Sequence, residues 1–146
     1  MIRFLVQVLL ICVVFIAAWR AGGKPERYVA TIYFTMLIAS GAYAFFGGAA
    51  SDGDYQGLHA FRFALDLSAL AAVVCVALRF DRWWTLWVGS VQFIAVVAHM
   101  LRAADIPIPP LAYAVMERWP VWMAVTLTGC GTLLYSRRSK ATVTDT

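Results

Sequence analysis

Long apolar runs, each closed by a short polar or turn-forming segment, dominate the chain. They cover residues 3–19, 28–46, 58–78, 83–101 and 119–136. The apolar residues fill continuous blocks and do not mark a single stripe of an amphipathic helix, and each block is close to the roughly 20 residues that a helix needs to cross a bilayer. The pattern predicts an all-α integral membrane bundle of five transmembrane helices.

The segments between the runs are rich in residues that end helices. Glycines and a proline separate the first two runs, and a polar loop over residues 47–54 separates the second from the third. The prolines of residues 106–110 forbid a continuous helix after the fourth run. We therefore expect a short interfacial helix over residues 111–118, with Pro120 in the first turn of the last span and a polar cytoplasmic tail over 139–146.

The distribution of basic residues predicts the orientation of the bundle. An N-terminus outside places eight of the twelve basic residues on the cytoplasmic side, as the positive-inside rule requires. These eight are Arg20, Lys24, Arg27, Arg79, Arg82, Arg137, Arg138 and Lys140. The basic segment after the first run also favours a retained helix over a cleaved signal peptide. The C-terminus is then cytoplasmic, and a bacterial inner membrane is the expected location.

Composition excludes several other classes of protein. Hydrophobic residues make up 62% of the chain and charged residues 14%, whereas soluble domains carry about 25% charged residues. The net charge of +4 comes from residues at helix ends and forms no basic stripe, so nucleic-acid binding is not predicted. The three cysteines lack the short spacings of metal or redox sites, and no metal site is predicted.

A candidate polar cluster stands out on the third and fourth runs. Its members are spaced by three, four or seven residues, so on each helix they share one face. The short loop between the two runs makes these helices antiparallel neighbours, which brings the two faces to a similar depth. The cluster consists of His59, Arg62, Asp66, Gln92, His99 and Arg102.

Four interpretations of the cluster remain open. Arg62 and Asp66 can form a self-neutralising pair within one helix, because an unpaired ionised carboxylate costs about 2.5–3.5 kcal/mol at the centre of a membrane. The cluster can instead form a docking surface for another membrane subunit. Small residues in register support close helix packing of that kind, on the third run and on the last. They are Ala60, Ala64, Ser68 and Ala72, and Ala124, Thr128 and Thr132.

The other two interpretations involve a ligand. Ionisable residues inside a membrane often mark a pathway for protons or small solutes. His59 and His99 could also hold a b-type haem between neighbouring helices, with Arg62 and Arg102 near the propionates. Enzyme chemistry is not predicted, because the sequence contains no nucleophile–base pair, phosphate loop or paired-carboxylate motif.

The second half of the chain resembles a group of small uncharacterised multi-pass inner-membrane proteins of alphaproteobacteria. The resemblance covers about residues 58–138 and implies a helical bundle in a bacterial plasma membrane, with no assigned activity or functional residue. It rests on Ala77-Leu78-Arg79, Asp81-Arg82-Trp83-Trp84-x-Leu86-Trp87, Gln92, His99, Arg102, Pro109 and Ala112-Tyr113.

The sequence as a whole favours a non-enzymatic accessory or structural subunit of a membrane assembly. Its expected partners are the lipid bilayer and other membrane-protein subunits. The alternative is a binder of a ligand or cofactor that uses the polar cluster.

Overall fold

Five helices make up nearly all of the described part of the chain. The computed structural model describes residues 2–47, 55–104 and 109–144. The helices are α1 (Ile2–Ala21), α2 (Lys24–Gly47), α3 (Tyr55–Phe80), α4 (Trp83–Ala103) and α5 (Pro110–Thr144). No strand occurs within these residues, so the all-α prediction is confirmed. Gly47, the first residue of the predicted polar loop, ends α2, whereas residues 48–54 and most of the proline-rich segment lie outside the described residues.

Four of the helices are long and apolar enough to cross a membrane. The stretches are Phe4–Ala21, Lys24–Phe45, Ala60–Phe80 and Trp83–Ala103. Their outer faces carry large apolar side chains that a soluble protein would bury, such as Leu9 and Ile16 on α1 and Leu86 and Phe93 on α4. This pattern is that of a membrane protein whose outer surface faces lipid.

The last helix differs from the prediction. The predicted break between a short helix over residues 111–118 and the last span is absent, because α5 is continuous from Pro110 to Thr144 and contains Pro120 in its interior. The polar tail predicted from residue 139 is helical as far as Thr144, and its cytoplasmic location stays a prediction. Proline removes one backbone donor, which helices in membrane bundles tolerate when neighbouring groups compensate. Alanine, leucine and methionine on both sides of Pro120 favour a helix.

Short connections make consecutive helices antiparallel. α3 and α4 are joined by Asp81 and Arg82 alone, and Asp81 adopts a positive φ of 47°. Aspartate tolerates this left-handed conformation better than most residues with a Cβ atom. The tight turn brings the middle of α3 beside the middle of α4.

Contacts between residues far apart in the sequence show which helix ends lie together. Tyr28 stacks on Phe80 with ring centroids 5.7 Å apart, and a Cβ atom at Gly131 would lie 3.1 Å from the ring of Trp84. A Cβ atom at Gly23 would likewise lie 3.0 Å from Tyr135. The ends of α1, α3 and α5 therefore meet the beginnings of α2 and α4. We call this the basic end, because the eight basic residues predicted to be cytoplasmic belong to these segments.

The core lies between all five helices. α5 packs against α1, α2 and α4, whereas α3 packs against α2 and α4. A stacked pair, Phe15 and Phe34, joins α1 to α2 with ring centroids 4.3 Å apart. The buried apolar cluster consists of Ile11, Val14, Val29, Tyr33, Val73, Val76, Trp84, Val88, Ala124 and Val125. A polar group inside this core is surrounded by apolar side chains and needs a hydrogen-bond partner within the protein.

Candidate functional site

Asp66 occupies the inward face of α3. Its neighbours on that face, Ala69, Val73, Val76 and Ala77, are buried at the helical spacing of three and four residues. The facing stripe of α4 buries Gln92, Ala95, Val96 and His99. The apolar residues fix the rotation of both helices, and this rotation aims the Asp66 carboxylate at the polar side chains of α4.

Both carboxylate oxygens of Asp66 have partners on α4. Oδ1 accepts a hydrogen bond from Nε2 of Gln92 at 2.9 Å, and Oδ2 lies 3.0 Å from Nε2 of His99. The same Gln92 nitrogen also donates to the backbone oxygen of Asp66 at 3.3 Å. Both partners belong to the neighbouring helix, and the predicted pair between Arg62 and Asp66 within α3 stays a prediction.

Tyr33 of α2 adds a third helix to this set of hydrogen bonds. Its hydroxyl donates to Oε1 of Gln92 at 3.0 Å, across 59 positions in the sequence. A buried tyrosine hydroxyl needs an acceptor, and the amide oxygen is left for it because the amide nitrogen serves Asp66. Tyr33, Asp66, Gln92 and His99 therefore form one chain of hydrogen bonds, which we call the polar network.

The polar network is shielded from the surroundings of the bundle. The Gln92 side chain is fully buried, and the side chains of His99 and Asp66 are 5% and 15% exposed. The edge of the His99 ring faces Phe63, with centroids 6.2 Å apart. Hydrogen bonds in such a medium are stronger than in water, and an unpaired member would be costly. The network can thus tie three helices together and hold a proton between Asp66 and His99.

The remaining members of the predicted cluster lie elsewhere. Arg62 and Arg102 are exposed, and each makes interactions of its own. His59 belongs to α3, but its side chain lies outside the described part of the structure, so the predicted His59–His99 haem pair stays a prediction. Iron at Nε2 of His99 would have to replace the contact with Asp66. Among the described residues, no group of three or more histidine, cysteine or acidic side chains could hold a metal ion.

Glu26 is a second buried acid, which the sequence did not single out. It lies in the first turn of α2 at the basic end and is only 2% exposed. Among the described residues, its Oε2 atom has no hydrogen-bond partner. A Cβ atom at Gly23 would lie 2.8 Å from this oxygen, so the carboxyl group fits because the turn between α1 and α2 has no side chain there. An acidic residue in a first turn is a common signal of a helix start. This signal does not predict that the side chain of Glu26 is buried.

Replacing Glu26 with an apolar side chain of similar length is expected to stabilise the protein. Glu26→Met removes a buried carboxyl group whose Oε2 atom has no hydrogen-bond partner among the described residues, and a buried polar group left unpaired costs about 1–3 kcal/mol, more than the favourable helix-dipole contact that is lost. The measurement is the free energy of unfolding, obtained from the loss of helicity as sodium dodecyl sulfate is added. Glu26→Gln is the isosteric control, and a clear loss of stability in both variants would mean that the carboxylate has a partner.

These features define the class of protein. The chain is an all-helical protein with four helices suited to span a membrane, and an ionisable hydrogen-bonded network lies within its apolar core. No protein-family model, curated protein or solved structure matches it. The resemblance to the alphaproteobacterial group therefore stays a prediction.

Proposed function

We propose that this chain is a five-span protein of a bacterial inner membrane that acts as a non-enzymatic accessory subunit of a membrane assembly. The single observation that carries the proposal is a stripe of small exposed residues on the outer face of α3, which also exposes Leu67, Val74 and Leu78. The exposed residues of α1, in contrast, are mainly large and apolar, such as Phe4, Leu9 and Ile16, which suits lipid. A flat face of small residues suits a second helix, because it lets two backbones approach closely.

The faces of α3 have opposite characters. The inward face carries Asp66 and the buried core residues, and the outward face carries small exposed residues three or four positions apart. These outward residues are Ala60, Ala64, Ser68, Ala71 and Cys75, whereas Ala72, which the sequence placed in the same set, is half-buried. The small residues of α5, in contrast, serve the packing of the bundle itself: Ala124, Thr128 and Thr132 are buried. The two small-residue faces in the sequence thus have different roles, and only that of α3 is available to a partner.

The polar network supports this role. α3 packs on α2 and α4, and Asp66 is hydrogen-bonded to Gln92, which is hydrogen-bonded to Tyr33 of α2. Interhelical hydrogen bonds of this kind average about 0.6 kcal/mol in membranes and reach about 1.7 kcal/mol. They hold α3 in one rotational setting, so its outer face has a fixed shape. A fixed face loses less conformational entropy when another helix docks on it.

The proposed membrane topology rests on the packing of α5 and on the distribution of basic residues. α5 lies alongside α1, α2 and α4, and its buried residues extend from Pro120 to Thr132, so we place it across the membrane with the other four helices. The basic end collects the residues that the positive-inside rule assigns to the cytoplasm. The N-terminus is then outside and the C-terminus inside.

Filling the outer face of α3 is expected to abolish partner binding. Ser68 and Ser90 are both exposed, and each hydroxyl donates to its own helix backbone, at 2.8 Å to Leu65 and at 2.9 Å to Leu86. Ser68→Leu and Ser90→Leu therefore make the same chemical change on α3 and on α4. We expect Ser68→Leu to lower recovery of a co-purifying membrane protein at least about tenfold after mild solubilisation, which corresponds to a loss of about 1.4 kcal/mol in binding. We expect Ser90→Leu to leave recovery unchanged.

Oxidative cross-linking identifies the partner on this face. Cys75 on α3 and Cys130 on α5 are free and exposed, so mild oxidation of native membranes compares the two surfaces directly. A Cys75 adduct with a different membrane protein supports the proposal. A Cys75–Cys75 dimer would mean that a second copy occupies the face. No adduct, together with equal behaviour of the two serine variants, would contradict a docking role for α3.

A further inference from the structure

We propose that Asp66 and His99 form a proton-binding site inside the bundle, so that the polar network changes its charge in response to pH. This inference goes beyond the accessory role, since docking on α3 requires no titration. It rests on the 3.0 Å contact between Oδ2 of Asp66 and Nε2 of His99, on the burial of both side chains and on the direction of the surrounding hydrogen bonds.

The charge of the pair is the reason to expect proton uptake. An ionised Asp66 beside a neutral His99 carries one negative charge in an apolar interior, which is unfavourable in a membrane. One added proton makes the pair neutral overall, either as carboxylate with imidazolium or as carboxylic acid with imidazole. Uptake forms one N–H or O–H bond, and the hydronium ion that gives the proton becomes water. No other bond changes and no further reactant is needed.

Gln92 and Tyr33 direct the proton to one side of the carboxylate. Tyr33 donates to the amide oxygen, which orients the amide so that its nitrogen donates to Oδ1 and to the backbone oxygen of Asp66. Oδ1 is therefore held as an acceptor. The proton that can move lies on the other side, between Oδ2 and the imidazole. Gln92 and Tyr33 are positioning residues in this arrangement.

The site is close enough to one end of the bundle to exchange protons. His99 precedes the last residue of α4, Ala103, by four positions, or about 6 Å of helix rise. Exposure increases along the network from the fully buried Gln92 to the partly exposed Asp66. The pair therefore lies about one helical turn from the end of α4 that is opposite the basic end.

Several other ionisable residues lie near the pair. Arg62 on α3 and Arg102 on α4 are about one helical turn from Asp66 and His99, and both are exposed. From α2, Tyr33 faces the pair through Gln92. On the neighbouring part of α5 the ionisable residues are Tyr113, Glu117 and Arg118, whose side chains lie outside the described part, as does that of His59 on α3.

Nitrogen NMR of histidine tests the proposal in the full chain. The protein is labelled at histidine nitrogen and placed in lipid nanodiscs, and His59→Gln leaves His99 as the single histidine signal. We expect the His99 ring to change reversibly between its one-proton and two-proton forms across the pH range of the titration. Asp66→Asn is expected to hold the ring in its one-proton form throughout that range, because no carboxylate charge remains to balance an imidazolium.

Asp81→Asn is the matched control. It makes the same chemical change at an exposed aspartate in the loop between α3 and α4, and it should leave the His99 switch intact. A wild-type ring that stays in one form overturns the proposal, whatever the variants do, and leaves the network as a fixed structural link. Identical switching in wild type and in folded Asp66→Asn also overturns it, since His99 would then titrate without Asp66.

Discussion

Gln92→Leu is expected to lower the free energy of unfolding by about 2 kcal/mol. Leucine nearly fills the volume of glutamine, so little cavity forms and the change isolates the hydrogen bonds. The Tyr33 hydroxyl loses its acceptor and Oδ1 of Asp66 loses its donor. A buried polar group left unpaired costs about 1–3 kcal/mol, and the smaller values measured in membrane proteins place the total near the middle of that range.

Two further variants show whether the loss comes from the polar network. Tyr33→Phe removes one hydroxyl and leaves the Gln92 bonds to Asp66, so about half of the effect is expected. Ser90→Leu, two residues from Gln92 but exposed, should change stability by less than about 0.5 kcal/mol. Titration of helicity with sodium dodecyl sulfate in mixed micelles measures all three. If Gln92→Leu were as stable as Ser90→Leu, the network would contribute nothing to holding the helices together.

Gly22→Ala is expected to destabilise the protein by about 1–3 kcal/mol. An added Cβ atom would lie 2.6 Å from the backbone oxygen of Ala18 and 3.0 Å from the Cβ atom of Glu26. Neither contact can be relieved by turning a flexible side chain. These close contacts lie at the end of α1. Two hydrogen bonds fix the backbone there: the Gly22 amide donates to the Ala18 oxygen at 2.9 Å, and Nε of Arg27 donates to the Gly22 oxygen at 3.2 Å. Overpacking of a tight site typically costs this amount.

Gly41→Ala provides the opposite case on α2. Nothing lies within 4 Å of a Cβ atom at Gly41, and the residue lies within a helix, where alanine is favoured over glycine by about 0.5–1 kcal/mol. We therefore expect this variant to be as stable as the native protein or slightly more stable. The two variants are compared by the midpoint temperature at which each loses its monodisperse peak in size-exclusion chromatography. Equal midpoints for both variants would mean that the turn after α1 relaxes at little cost.

The helices could be predicted from the sequence because the signal is strong and local. Continuous apolar runs of about 20 residues have few alternatives, and glycine or proline marks where three of them end. α5 shows the limit of this reasoning. Pro120 and the charged residues before it are typical of a helix boundary, but tertiary packing decides whether a helix continues through such a site. The packing of α5 along α4 cannot be deduced from its own composition.

The polar network was predictable in part. Asp66, Gln92 and His99 were singled out because polar residues are rare inside apolar runs, and spacing placed them on facing sides of adjacent helices. Tyr33 was missed, because a lone tyrosine in an apolar run gives no sign of which way its hydroxyl points. Glu26 was missed for a related reason: acids at helix starts are usually solvated, and its burial depends on the glycines of the preceding turn and on Tyr135 of a distant helix.

The length of α5 has a practical consequence for imaging. Its 35 residues extend over about 52 Å, whereas the hydrocarbon core of a bilayer is about 30 Å thick. In the proposed topology, roughly 20 Å of α5 stands outside the hydrocarbon, and its last residues, Ser136–Thr144, are mostly polar or basic. A carrier domain joined in helical register to these residues would turn rigidly with the bundle. That attachment would give a small membrane protein the asymmetric mass needed to align its particles in electron cryo-microscopy.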